Sequence, residues 1–202
     1  MNFDLYAPLV GYAVAASFTP GPNNTMLAAS GAQFGFARTR PHLFGVGLGF
    51  GFMIFLVALG LGGSVARLPW LNLGMTLIGA ALLLWMSWRI ASAPVDAEEE
   101  ARARAPLTFL QAAGFQWINP KGWTMALAVA GGYVSGAAPL REAAICAAIF
   151  ALVGILSAGS WAAFGVSLRR WLVNPLRRRI FNVSMGALLA GFVIYGTIKA
   201  LA

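Results

Sequence analysis

Residues 19–24 read TPGPNN and residues 119–122 read NPKG, and each interrupts a stretch otherwise apolar enough to sit in lipid. Gly21-Pro22 and Asn119-Pro120 each pair a helix-capping residue with a proline suited to the first helical position, which starts a new helix rather than continuing an old one. A helix N-terminus inside each apolar run is therefore expected. There the backbone N–H groups of Asn23, Asn24, Lys121 and Gly122 lack intrahelical partners, and the helix dipole favours an anion. Proline has no N–H, so Pro20, Pro22 and Pro120 are expected to free the carbonyls of Ala16, Phe18 and Gln116, which can receive an ammonium.

The rest of the composition says which solvent surrounds these breaks. Of 202 residues 59% are hydrophobic and 10% charged, and the mean hydropathy is +0.76, far from a soluble domain with a quarter of its residues charged. This is the composition of a single membrane domain, residues 1–202. The 24 glycines fit helices that pack in lipid through small residues. A net charge of +8 would point to nucleic acid in a soluble chain, but here the arginines fall between apolar spans and serve as topology signals, so no nucleic-acid partner is expected. Cys146, the single cysteine, lies in an apolar run and reads as a packing residue. No basic residue precedes Leu5, so the first apolar run is read as retained rather than cleaved as a signal peptide.

Apolar runs of the roughly 20 residues needed to cross a bilayer predict six spans near 3–36, 43–66, 70–91, 107–135, 140–167 and 179–201. An unbroken helix over the first would be roughly 50 Å long, well beyond a hydrocarbon core of about 30 Å. With the N-terminus outside, the inner loops hold Arg38, Arg40, Arg89, Arg102, Arg104, Arg169, Arg170, Arg177, Arg178 and Arg179. The outer side has Arg67, Arg141 and Lys199. The positive-inside rule then puts both termini outside, in the periplasm of a bacterial inner-membrane protein, with Trp88 and Trp171 at the inner interface and Trp70 at the outer.

The polar stretch 92–106 divides the chain into repeat one, 1–91, and repeat two, 107–202. Its acidic run and following arginines read as a solvated helical turn with local ion pairs. Each half has three spans and begins with the overlong, proline-interrupted one. Three is odd, so the halves lie upside down relative to each other, a 3+3 inverted repeat in an all-α polytopic fold.

Lys121 is the one charge deep within a span, and an intramembrane charge marks a functional site by default. No span holds a buried Asp or Glu to neutralise it, so the expected visitor is a small anion or a zwitterion. Snorkelling to an interface or pairing with backbone carbonyls is the alternative. His42, the sole histidine, reads as an interfacial residue at a loop edge. No cofactor and no metal site is expected, and no buried carboxylate or histidine is apparent for a proton relay. In GVGLGFGF, residues 45–52, Gly45/Gly49 and Gly47/Gly51 give the second span a flat face for packing within the chain, with a homo-oligomer seam or a sliding surface as alternatives.

With TPGPNN, the small-residue helix MLAASGAQFGF, the glycine-rich second span, GAALLLWMSWRIASAP and FQWINPKGW in order, the chain resembles the LysE/RhtB superfamily of bacterial amino-acid exporters over essentially its whole length. The first half is most similar to the cysteine/O-acetylserine and homoserine/threonine branches. The resemblance implies efflux of a small neutral amino acid or derivative, coupled to the proton gradient. It also implies that Thr19, Pro20, Gly21, Pro22, Asn23 and Asn24, with Asn119, Pro120 and Lys121, line the path. Lysine exporters of the superfamily have an acidic residue in the second span; this span has none, which disfavours a dibasic substrate. Competing readings are a lipid scramblase or non-transporting scaffold, and an intramembrane enzyme built on Ser157, Ser160 or Ser167, for which no activating base is apparent.

Overall fold

The computed structural model describes residues 3–62, 69–94, 105–134 and 138–201. Among them are eight α-helices and no strand: α1 Phe3–Phe18, α2 Pro22–Phe34, α3 Phe36–Leu56, α4 Pro69–Ala91, α5 Phe109–Phe115, α6 Pro120–Tyr133, α7 Pro139–Leu168 and α8 Pro175–Leu201. A π-turn, Val57–Leu61, extends α3, and short 3₁₀ turns occupy Gln116–Ile118 and Trp171–Val173. Three segments are long and apolar enough to cross a bilayer unaided, Phe36–Leu61, Pro139–Leu168 and Pro175–Ile198. Tyr6–Phe18 and Thr76–Ala91 are shorter apolar helices. Arg67, and with it the linker from 95 to 104, lie outside the described residues.

Side chains are sorted as lipid requires. Leu152, Leu156 and Phe164 on α7 and Ile180, Ile194 and Tyr195 on α8 are exposed, whereas Asn24, Thr39, Gln116, Asn119 and Ser157 are buried. Polar groups are thus backed by protein and large apolar ones face outward.

The junction between the first two spans is shorter than the sequence reading allowed. Gly35, at φ 79°, ends α2 with its N–H on the Gly31 carbonyl, and α3 begins at the next residue. Residues 37–42, expected as an inner loop, are the first turns of α3. Pro41 lies inside this helix and cannot donate to Ala37, but Arg40 Nε does so instead at 3.3 Å, so the helix survives its proline. His42 is consequently no loop-edge residue: it is buried, 1% exposed. Arg177, Arg178 and Arg179, also expected in a loop, occupy the first turns of α8. Cations are disfavoured at a helix N-terminus; Arg177 stacks on Trp171 at 5.1 Å, and Arg178 and Arg179 donate to the carbonyls of Leu172 and Ala91.

Close helix contacts are made by backbone rather than side chain. A Cβ on Gly31 would lie 2.1 Å from the Ala162 carbonyl oxygen, and one on Gly165 would lie 2.0 Å from that of Ala28, so α2 and α7 cross with nothing between them. The glycines of α3 present two faces, not one. Gly45 and Gly49 abut Phe109, Ala112 and Ala113 of α5, while Gly47 and Gly51 abut Ile155, Ala147 and Ala151 of α7. All four are used within the chain, so the oligomer seam expected as an alternative is not on these glycines. Tyr12 and Phe50 meet Phe150 edge-to-face, with centroids 6.1 and 5.8 Å apart, joining α1, α3 and α7 in the main apolar core.

Candidate functional site

Helix α1 stops at Phe18 and α2 restarts at Pro22, with Gly21 as its cap in extended backbone, φ 179° and ψ −179°. At this break the Gly21 carbonyl accepts Thr25 N–H at 2.9 Å, and the carbonyls of Ser17 and Thr19 receive side-chain donors. Asn24 Nδ2 donates to both, at 2.8 and 3.0 Å, and Ser157 Oγ of α7 donates to Ser17 at 2.8 Å. Thr19 turns its own hydroxyl back onto Ala15.

The second restart is built differently. Residues Gln116–Ile118 tighten into a 3₁₀ turn, Asn119 leaves the helix at φ −84° and ψ 109°, and Pro120 opens α6. The Asn119 side chain accepts from Lys121 N–H at 3.1 Å, so that N–H, expected to be open, is capped. The Gln116 carbonyl, expected to be freed, accepts Asn119 N–H at 3.3 Å, because the 3₁₀ turn supplies the donor that Pro120 lacks. The N–H groups of Asn23, Asn24 and Gly122 have no acceptor among the described residues.

Two side-chain contacts bring the restarts together. Lys121 Nζ donates to the Thr19 carbonyl at 2.8 Å. Its stem passes over Gly21, where a Cβ would lie 3.0 Å from Cδ and 3.1 Å from Nζ. Asn23 and Gln116 exchange amide hydrogen bonds, Nδ2 to Oε1 at 2.8 Å and Nε2 to Oδ1 at 3.3 Å. Gln116 is itself pinned by donating to the Ala112 carbonyl at 2.8 Å.

Around these groups lies a narrow cavity of about 40 Å³, lined by Gly21, Pro22, Asn23, Asn24, Asn119 and Lys121 among the expected residues, and also by Ser17, Gln116 and Ser157. That is room for roughly three waters. Beside it a wider pocket of about 550 Å³ is lined by Pro20, Gly21, Pro22, Pro120 and Lys121 together with Trp117, Trp123, Phe192 and Tyr195. Lys121, Gly21 and Pro22 belong to both and form the partition. Thr19 lines neither wall, yet its carbonyl accepts from the Lys121 ammonium, which lines both. Among the described residues no group of His, Cys, Asp or Glu could hold a metal ion.

The family model for LysE type translocators matches residues 14–199, which take in both restarts and every helix from α2 to α7. The chain belongs to the LysE family of translocators. Curated LysE relatives include the cysteine/O-acetylserine efflux proteins of Salmonella typhimurium, 34% identical over 111 residues, and of Escherichia coli, 31% identical over 111 residues. Each match covers 54% of this chain and 55% of the relative, so the chain spans about half the length of the curated relatives it matches. No solved structure matches the chain. With its apolar helices, this LysE-type chain is an integral membrane protein.

Ser17 is not among the residues expected at the site, and Gln116 and Ser157 are expected there only in other roles, Gln116 through its main-chain carbonyl and Ser157 as a nucleophile of the enzyme alternative, whereas both act through side-chain hydrogen bonds. Ser17 and Gln116 each sit within three residues of an interruption, where a polar side chain in an apolar run finds carbonyls or amides to bond. Ser157 gives no such sign: its helical neighbours Ser160 and Ser167 simply bond back to Leu156 and Phe164.

Proposed function

We propose that the chain exports a small neutral, zwitterionic amino acid or derivative across the bacterial inner membrane, driven by the proton gradient, through a path between two inverted three-span repeats. The observation that carries this reading is the bridge from Lys121 to the Thr19 carbonyl, across 102 residues and between two helix restarts. Carbonyl pairing is the alternative expected for Lys121, but a half-buried ammonium on a neutral carbonyl is open to exchange: a visiting carboxylate is a better partner, since charge-assisted pairs are roughly twice as strong. Substrate carboxylate then takes Lys121 and the open N–H groups of Asn23 and Asn24, and its ammonium takes the Thr19 and Ser17 carbonyls that Lys121 and Asn24 give up. The same exchange withdraws the partition between the two cavities, which supports coupling of binding to opening. Thr19, Pro20, Gly21, Pro22, Asn23, Asn24, Asn119, Pro120 and Lys121 form this path.

The inverted repeat is supported by self-paired contacts. α3 meets its counterpart α7 through Gly47 and Gly154, and α4 meets α8 through Ser87, whose hydroxyl donates to the Gly186 carbonyl at 2.6 Å. An inward-facing basic end is supported by Arg169 against Gly35 and Arg179 on Ala91, which gather the arginine-bearing helix ends; both termini then lie outside. The names of the curated relatives favour cysteine or O-acetylserine as cargo, with homoserine and threonine next. Overexpressing cells should tolerate a toxic excess of such an amino acid, and Lys121→Ala should abolish that tolerance without loss of the protein from the membrane. Wild-type tolerance retained in the variant overturns the role of Lys121.

A further inference from the structure

His42 lies on α3 one turn before Val46, which lines the narrow cavity. Its Nδ1 lies 3.1 Å from Ser30 Oγ, both side chains are buried, and Nε2 has no hydrogen-bond partner. Gln33, three residues beyond Ser30 and so on the same face of α2, also has a buried amide nitrogen without a partner. Buried polar atoms in this state are uncommon and each needs an explanation.

The pair continues two helix faces that line the narrow cavity. On α3, His42 is followed one turn later by Val46 and two turns later by Phe50; on α2, Asn23 is followed by Leu27 and then Ser30. Val46, Phe50 and Asn23 line the cavity. Leu27, Leu43 and Val46 form one apolar cluster with Ala112 and Ala158, and this plug separates cavity from pair. The charged groups on the elements packed against α2 and α3 are Arg38 and Arg40 on α3, Lys121 on α6, Arg141 and Glu142 at the start of α7, Arg169 just past its end, and Arg177, Arg178, Arg179 and Lys199 on α8; α2 and α5 have none. Glu142 and Ala158 are 16 positions apart, about 24 Å along the helix, so no carboxylate of these elements attends the imidazole.

We propose that the Ser30–His42 pair is the proton-carrying site of the transport cycle, an inference that rests on the export reading. Nε2 takes a proton from a hydronium ion on one side of the apolar plug, leaving water. It returns that proton to water on the other side, so one proton crosses as one amino acid crosses the opposite way, and the imidazole ends as it began. Ser30 fixes the ring through Nδ1 and leaves Nε2 as the exchanging atom.

Purified full-length protein in liposomes with an internal pH dye tests this, with radiolabelled threonine and cysteine as probes. His42→Asn sets an amide at the Nδ1 position and keeps the Ser30 bond but has no titratable group; His42→Gln sets it at the Nε2 position and replaces the first variant if that one does not insert. The expected result is wild-type threonine or cysteine counterflow with substrate-driven proton movement reduced at least tenfold. Proton movement retained in the variant overturns the assignment, and so does loss of counterflow along with it, which marks a structural role. Wild-type protein that carries neither probe in counterflow overturns the export reading, and this inference with it.

Discussion

Asn23 and Gln116, 93 residues apart, hold each other by both amide bonds, and these are side chains of residues flanking the two helix restarts. The clasp keeps α2 on the end of α5 whatever Lys121 does. Gln116 is fully buried and makes three hydrogen bonds through one amide. Gln116→Leu leaves Asn23 without its partner, at a cost of about 1–3 kcal/mol. Thermal unfolding in detergent should show this as a lowered midpoint. In a cycle with Asn23→Ala the two losses should be strongly non-additive; additive losses would deny the pairing.

Gly21 is extended at φ 179°, a conformation any residue adopts, so its identity is set by Lys121 passing overhead. Gly21→Ala brings a methyl to about 3.0 Å from the Lys121 stem, so that the ammonium end must shift by a few tenths of an ångström, which weakens its bond to the Thr19 carbonyl. Counterflow should fall at least tenfold with the unfolding midpoint nearly unchanged. A variant with full transport would show that the crossing does not matter to function.

Stability should be far more sensitive at the α2–α7 crossing. Gly31→Ala and Gly165→Ala each drive a methyl to about 2 Å from a backbone carbonyl, where no side chain can yield, and overpacking of this sort costs about 1–3 kcal/mol or more. Gly191→Ala on α8, which meets nothing within 4 Å, should be neutral or stabilising by up to about 1 kcal/mol. Melting curves of the three variants in one detergent rank them, and a Gly31 variant as stable as Gly191→Ala would contradict the crossing.

The helix starts were legible because proline after a capping residue has one local meaning, and Gly21-Pro22 and Asn119-Pro120 cap α2 and α6 as that meaning requires. What local sequence does not encode is depth. Asn174-Pro175 opens α8 with Asn174 accepting from Leu176 and Arg177 N–H groups, and it went unremarked because no long apolar run surrounds it. His42 was misplaced for a related reason: Arg38, Arg40 and Pro41 beside it look like loop, and only the carbonyl bond from Arg40 and the one-residue turn at Gly35 keep that stretch helical. Partners distant in the chain, such as Ser157 for Ser17 and Gln116 for Asn23, depend on helix register across the bundle, which no window of sequence contains.

The two-sided glycine surface of α3 limits which parts can move. With α5 on one flank and α7 on the other, both approaching to backbone contact at these glycines, little room is left there for α3 to slide past either neighbour. On the export reading these three helices move together, and rocking during turnover flexes the uncoiled residues 19–21 and Asn119, which would make the joints and the proposed cargo cradle the same few peptide units.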